Sequence, residues 1–495
     1  MLISGTTTAA ESRWPACDPQ ARTQTLSFVH IADVHAHYNP DSSGGSPLAR
    51  VRGLVEQVRQ DNPFTLFTNA GDDYEKGSIA EALSQGRSTR AVTQAMGYDV
   101  RTLGNHDFAW GLQELLAFSQ DPRALVLAAN VRMIAPPPAA VSSGWTDYGA
   151  LAVGCLRVGF FGLVSQPWNE KDEPYDGSFF PQLAADFRYV ERAREIIARH
   201  RGEVDLLVLL SHLGFEEDRR LAEATTGIDL ILGGHSHTTL AEPARVGATH
   251  IVHVGGHAEH IGRLDLEFDL QSRAISGHRF TLVPNGATDG PPADPAIQAA
   301  VAEVLRPYAE ALTQPFAWVD RPLGPAELAQ VAAEAAVEGL GVDAALVGLR
   351  SAWGGWGAGG LTQQQVLDAF KVERQPAGTP GFSSLYRIEA SGADLLRMQE
   401  LPGFAYWGPT RPEPGQRYQL ALQKPLAFHQ VAYFGRRIAP QTPEPLAELW
   451  QAVAALGQLR RAAGLALNSR APAGGDDRLI AFAPPSDGPM EQVGM

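Results

Sequence analysis

From Thr25 onward, short apolar runs alternate with stretches of helical periodicity: LSFVHIAD, PLARVRGLVEQVRQ, FTLFTNAGD, SIAEALSQG and STRAVTQAMG follow one another in that order. The runs ALVLAANV, VDLLVLLSHLG, GIDLILGGHSH and THIVHVGGH continue the rhythm, and GALAVGCLRVGFFGLV reads as a hairpin because Gly154 divides two alternating segments. Strands that read as near-continuous apolar runs between helices are covered on both faces, so these segments are expected to be core strands of a layered α/β sheet.

At 495 residues the chain exceeds the roughly 250 to 300 at which one hydrophobic core stops growing, so two domains are expected. The apolar pattern lapses at VPNGATDGPPADP, residues 283 to 295, where Pro, Gly and Asp cluster as in a linker. Asp294 before Pro295 is a helix start, and Ile297, Val301, Val304, Leu305, Tyr308 and Leu312 form a helical stripe, predicting one bridging helix. The expected division is a tail at 1–24, a first domain at 25–283, linker and bridging helix at 284–321, a smaller α/β domain at 322–480 and a tail at 481–495.

A formal net charge of −15 repels polyanions, which excludes a nucleic-acid polymer as partner and requires local positive charge to hold any phosphate group. Cys17 and Cys155 are too few for a disulfide framework and lack metal-ligand spacing, so they leave the redox compartment open. The first twenty residues carry neither a basic nor an apolar leader region, and no run approaches 18 apolar residues. The expectation is a cytoplasmic chain with no membrane partner, or a periplasmic or secreted one if the start has been misplaced.

Five polar clusters each follow an apolar run: Asp33 and His35 in ADVH, Asp72 in AGDD, Asn105 and His106 in GNHD, His212 in LSHLG, and His235 and His237 in GGHSH. Ligands of open α/β sheets bind outside the carboxyl ends of the strands, so clusters spread over 200 residues of sequence are expected to converge on one site. Their Asp, His and Asn donors, with no thiolate, suit Mn²⁺, Zn²⁺, Fe or Co. There are more donors than one tetrahedral ion uses, and a carboxylate such as Asp72 can bridge two cations, the arrangement that clamps both oxygens of a phosphoryl displacement. His30, His37, His250, His253, His257 and His260 are taken as packing or supporting residues.

The ordered series DVH, GDD, GNHD, SH and GHSH resembles the calcineurin-like metallophosphoesterases, and AGDDYEKGS, LGNHDFAWG, SHLGFEEDRRLAEATTGIDLILGGHSH and GGHAEHIGRLDLEFD resemble their 5′-nucleotidase branch. The resemblance covers residues 25 to 270 and implies a four-layer α/β/β/α sandwich followed by a smaller α/β 5′-nucleotidase-like domain. It implies that Asp33, His35, Asp72 and His237 hold one divalent metal while Asp72, Asn105, His212 and His235 hold another. His106 would face the phosphate as charge stabiliser or acid, and Asp73 would turn to solvent or a supporting position. The implied activity is hydrolysis of a small phosphomonoester, most plainly a nucleoside 5′-monophosphate, by in-line attack of metal-bound hydroxide. A 2′,3′-cyclic phosphodiesterase or sugar-nucleotide pyrophosphatase of the same fold is the alternative, and a catalytically impaired metal-holding module is the alternative of another class. One departure bears on catalysis: many family members carry a carboxylate three residues after the histidine, and this chain has Ala109 there, which leaves His106 without its usual orienting partner.

In the second domain, GVDAALVGLRSAWGGWGAGGLTQQQVLDAF resembles the family's phosphate-contact segment, which implies Arg350 as a phosphate contact and Phe370 at its end. Phe404, Tyr406 and Trp407 in PGFAYWGP could stack a base, or else cover an apolar edge; Trp353 and Trp356 are in the same position.

Overall fold

The computed structural model describes residues 13–134, 143–166, 180–370, 383–428, 430–438 and 445–469; of the expected tails, 1–12 and 481–495 lie outside the described residues. The chain separates into two compact units, divided in sequence between Arg306 and Pro307.

The first unit contains two six-stranded sheets. One runs in spatial order Ala274–Pro284, His260–Asp269, Thr23–Ile31, Thr65–Asn69, Val100–Thr102, Leu125–Leu127, and its last four strands are parallel. The other runs Ala244–Val246, Thr249–His253, Leu230–Gly233, Leu206–His212, Leu156–Val164, Tyr148–Val153, with its central four parallel. The last pair is the expected hairpin, antiparallel and turning at Gly154, whose φ is 60°.

A continuous apolar run still obeys the two-residue period of a strand. In Leu206–His212, residues Leu206, Val208 and Leu210 enter a core shared with Leu26, Phe28, Leu66 and Val100 of the other sheet. Leu207 and Leu209 point the other way, onto Ala193 and Ile196 of helix Tyr189–His200 and Leu221 and Ala222 of helix Phe215–Ala224. Helix Pro47–Asp61 buries Leu48, Val51, Val55 and Val58, a three-and-four-residue spacing that makes one apolar stripe, and packs on the first sheet. Helices therefore cover both outer faces, which is the α/β/β/α sandwich.

Asp294 caps helix Pro295–Leu305 by accepting the Ile297 N–H at 2.9 Å. The single bridging helix expected through Leu312 is corrected: it stops at Leu305, Tyr308 lies in a 3₁₀ turn, and a separate helix spans Ala309–Thr313. Pro307 supplies the reason, having no N–H to continue the ladder. Pro295–Leu305 packs inside the first unit, where Asp294 N donates to Ala49 O at 2.8 Å and Gln298 Oε1 accepts Ser46 N at 2.9 Å.

The second unit is built on a mixed sheet ordered Phe404–Trp407, Ala344–Gly348, Arg417–Gln423, Ser384–Ser391, Ala447–Glu448. Helices Pro325–Leu340 and Leu449–Ala462 pack on each other, with Arg460 of one paired to Glu334 of the other.

Cys17 and Cys155 form a disulfide that ties the segment before the Thr23–Ile31 strand to the hairpin turn, across a sequence separation of 138. Gln24 closes the same junction, donating to Val153 O at 2.8 Å and accepting Cys155 N at 2.7 Å. Because the bridge closes a long loop of the unfolded chain, Cys155→Ser is expected to lower the unfolding free energy by about 2–4 kcal/mol. Urea unfolding of the oxidised wild type and the variant measures this; coincident midpoints would refute it.

Candidate active site

The five polar clusters lie together where the parallel strands end. Asp33 and His35 follow Thr23–Ile31, Asp72 follows Thr65–Asn69, Asn105 and His106 follow Val100–Thr102, His212 closes Leu206–His212, and His235 and His237 follow Leu230–Gly233. Donor atoms of Asp33, His35 and His237 lie within 4.8 Å of one another, as do those of Asp72, His212 and His235. Asp72 stands between the groups, its Oδ2 lying 2.8 Å from His212 Nε2 and 3.8 Å from His35 Nε2. Asn105 reaches the second group through Ser165, whose hydroxyl donates to Asn105 Oδ1 at 2.9 Å and lies 3.5 Å from His235 Nδ1.

Aiming these side chains at one point costs backbone strain. Asp33, His35, Asp72, His235 and His237 have φ of 53°, 47°, 57°, 75° and 50°, a left-handed conformation that costs a non-glycine residue about 1 kcal/mol or more. Cross-loop hydrogen bonds hold them there: Asp33 N donates to Gly71 O and His35 N to Asp72 O, each at 2.9 Å. The approach is close enough that a Cβ on Gly104 would fall 2.1 Å from Asp72 Oδ1, which accounts for the glycine before Asn105.

The imidazoles are fixed through one nitrogen and present the other. His35 Nδ1 donates to Tyr74 O at 2.9 Å and His212 Nδ1 to Ala70 O at 2.6 Å. Their Nε2 atoms then face the site: His35 Nε2 lies 3.1 Å from His237 Nε2, and the fully buried His212 Nε2, though close to Asp72, has no aligned hydrogen-bond partner among the described residues. Burial above all holds His235 at about 3 and His237 at about 4, which keeps both in the neutral form that ligates metal. Burial opposes charge on His212 as well, but the Asp72 and Asp33 carboxylates outweigh it and raise it to about 9. The field that would hold a proton between His212 and Asp72 is the field that holds a cation, so this oxygen and nitrogen donor set fits divalent metal.

His106 lies beside both groups, its backbone N–H donating to Asp72 Oδ1 at 2.7 Å and its ring centroid 5.0 Å from that of His35. The expectation that it lacks a carboxylate partner is corrected. Glu75 Oε2, from the loop after Thr65–Asn69, lies 2.5 Å from His106 Nδ1. Against the burial that disfavours its charge, Asp72 and Glu75 raise His106 to about 10.

Asp107, whose role the sequence left open, is a clasp. Its buried carboxylate accepts the N–H groups of Gly104 at 2.8 Å, Asp73 at 2.9 Å and Asp72 at 3.2 Å, binding the GNHD loop to the GDD loop. Asp73 does not turn to solvent: it is 1% exposed and accepts from Asn69 Nδ2 at 3.0 Å, in a supporting position. Among the other histidines, His253 Nε2 donates to Asp218 Oδ2 at 2.7 Å and His30 contacts Thr68 Oγ1 at 3.0 Å, both as packing residues, while His37 and His257 stack at 4.1 Å beside the first group.

In the second unit, Arg350 is exposed on a short turn after Ala344–Gly348. Phe370 and Tyr406 are buried, at 2% and 3% exposure. Phe404 packs with Tyr406 on the domain core and lies edge-on to Tyr433. Trp407 projects from the opposite face of the same strand, so the three aromatics of PGFAYWGP make no common stacking platform. Trp353 is 67% exposed and Trp356 is buried.

Residues 26–239 match the family model described as calcineurin-like phosphoesterase. The 5′-nucleotidase of Bos taurus is 27% identical over 315 residues, covering 58% of this chain and 53% of that protein. The chain thus spans about half the length of the curated relatives it matches. Among solved structures, a 5′-nucleotidase precursor from Thermus thermophilus aligns with a TM-score of 0.63 at 20% identity, covering 88% of this chain and 97% of that one. The Thermus thermophilus sulfate thiohydrolase SoxB aligns with a TM-score of 0.61 at 18% identity, covering 90% and 95%. At these identities the likeness is one of fold.

If Asp107 binds the two ligand loops together, Asp107→Ala should weaken Mn²⁺ binding by about 10- to 100-fold, the usual cost of removing a group that orients metal ligands. Titration calorimetry on folded variant measures this, and unchanged affinity would refute the clasp.

Proposed function

We propose, from the match of residues 26–239 to the calcineurin-like phosphoesterase model, that the chain hydrolyses a small phosphomonoester, with a nucleoside 5′-monophosphate as its preferred class. The observation that carries the proposal is the placing of Asp72 between two groups of imidazole and carboxylate donors, with His106 next to them. The name 5′-nucleotidase, borne by relatives in both comparisons, supports the nucleotide; Phe370 and Tyr406, being buried, do not.

Asp33, His35, Asp72 and His237 would hold one divalent cation, and Asp72, Asn105, His212 and His235 the other. When bound, such a pair supplies Lewis acidity, lowering the pKa of water and neutralising charge on the phosphoryl oxygens. The chain's own residues do the rest. Asp72 fixes the separation of the two groups, and Ser165 orients Asn105. His106 donates a proton to the leaving oxygen, which the carboxylates around it keep available. The disulfide favours an oxidising compartment over the cytoplasmic placement that the N-terminal sequence alone led us to expect. No helix among the described residues is long and apolar enough to cross a membrane.

Metal analysis and a phosphoester panel assayed with Mn²⁺ test this. Two divalent cations per chain are expected, with nucleoside 5′-monophosphates turned over faster than 2′,3′-cyclic nucleotides or sugar nucleotides. Asp72→Ala and Asn105→Ala should lower the metal stoichiometry, whereas His106→Ala should keep the metals and lose about 10²- to 10⁴-fold in kcat. Equal metal loss in all three would remove His106 from its role. Inertness of the fully loaded wild type toward the whole panel would leave a metal-holding module.

A further inference from the structure

We propose that Glu75 is the residue that orients His106 for proton donation, replacing from a different loop the carboxylate missing at Ala109. The assignment rests on the hydrolase activity proposed above. Ala109 has only a methyl group to offer, and its N–H closes the 3₁₀ turn on His106 O at 3.0 Å. Glu75 fills the need from 31 residues upstream, with Oε2 at 2.5 Å from His106 Nδ1. Its side chain is 3% exposed, so water competes little for the contact. The other oxygen, Oε1, is buried and has no hydrogen-bond partner among the described residues, so His106 is the side chain this carboxylate meets there.

The loop that carries Glu75 is held from several directions. Glu75 has a left-handed backbone, with φ of 55°, and its N–H donates to Glu81 Oε1 at 2.8 Å. Glu81, fully buried in helix Ile79–Ser84, also accepts Thr89 Oγ1 at 2.6 Å and Trp110 Nε1 at 2.9 Å. Trp110 belongs to the same LGNHDFAWG segment as His106. Two carboxylates therefore stitch the loops together, Glu75 onto His106 and Glu81 onto Trp110, while Asp107 clasps the backbone between them. A merely incidental ion pair would not need its backbone pinned on the far side.

With Nδ1 committed to Glu75, the proton that moves is the one on Nε2. In the step, a water oxygen bonds to phosphorus and releases one proton to solvent, while the bond from phosphorus to the ester oxygen breaks and its electron pair goes to that ester oxygen. The Nε2 proton transfers to the same ester oxygen, and His106 becomes neutral imidazole with Nδ1–H still on Glu75. Glu75 remains a carboxylate throughout. It is a positioning residue, because it reaches the substrate only through His106.

The experiment uses Glu75→Gln in the full chain, loaded with Mn²⁺, against phosphomonoesters graded by leaving-group pKa from p-nitrophenyl phosphate to an alkyl phosphate and AMP. The loss in kcat should grow with leaving-group pKa, reaching about 10²-fold for the alkyl ester, with metal content and KM held near wild type. Glu75→Asp and the double variant Glu75→Gln, Ala109→Asp should each recover part of the loss on poor leaving groups. A loss independent of the leaving group, or none, would overturn the assignment. ¹⁵N NMR of histidine-labelled protein loaded with diamagnetic Zn²⁺ is independent of turnover: the Nδ1 proton of His106 should give a low-field signal in the wild type through its hydrogen bond to Glu75, and that signal should be lost in Glu75→Gln. An unchanged signal would overturn the assignment even if the wild type proved inactive, whereas inactivity with the signal lost would count against the hydrolase proposal alone.

Discussion

The Asp72 carboxylate is the contact on which the first unit's site depends. One oxygen takes the backbone N–H of His106 and the other lies between His212 and His35, so three strands of two sheets are referred to a single side chain. Buried at 1% exposure, that carboxylate would be costly to ionise on its own. The surrounding imidazoles nevertheless hold it well below the usual carboxylate range against its burial. The site is thus an assembly in which each charge is tolerable only because the others are in place, and a divalent cation would fit the same field. The left-handed backbones at five donors are the mechanical counterpart, kept in place by hydrogen bonds from one loop to the next.

Much of this was legible in the sequence for a simple reason. Each proposed ligand follows an apolar run, and strand ends in a parallel sheet converge whatever the separation along the chain. The same reasoning placed the hairpin at Gly154 and the cap at Asp294. What escaped were contacts without a local signature. Glu75 sits in YEKGS, where nothing about its neighbours says that it will meet an imidazole 31 residues on. Asp107 acts on backbone N–H groups, which leave no mark on the residue types that supply them. Cys17 and Cys155 find each other because the segment before the first strand returns to a hairpin turn, a matter of topology.

The second unit shows the opposite failure, in which residue type promised more than position delivers. Phe404, Tyr406 and Trp407 are adjacent in sequence, but a strand sends neighbours to opposite faces, and the core claims Tyr406. Pro307 had a similar effect on the helical stripe, which looked continuous in its apolar spacing and was interrupted by one missing N–H. Periodicity identifies the face a residue would occupy if the element were regular; it does not say where the element ends or which face is already filled.

The source of the His106 partner also changes what the site couples. A carboxylate three residues after the histidine would orient it within one turn, whatever the GDD loop did. With Glu75 as partner, that carboxylate and Asp72, which stands between the two donor groups, belong to one loop, three residues apart, and Asp107 ties that loop to the histidine's own. Any displacement of the GDD loop therefore disturbs the two donor groups and His106 together. An imidazole that is aligned only when Asp72 is in register cannot donate its proton efficiently from a half-assembled site. In the proposed hydrolysis, the coupling would make proton donation by His106 conditional on correct assembly of the donor groups.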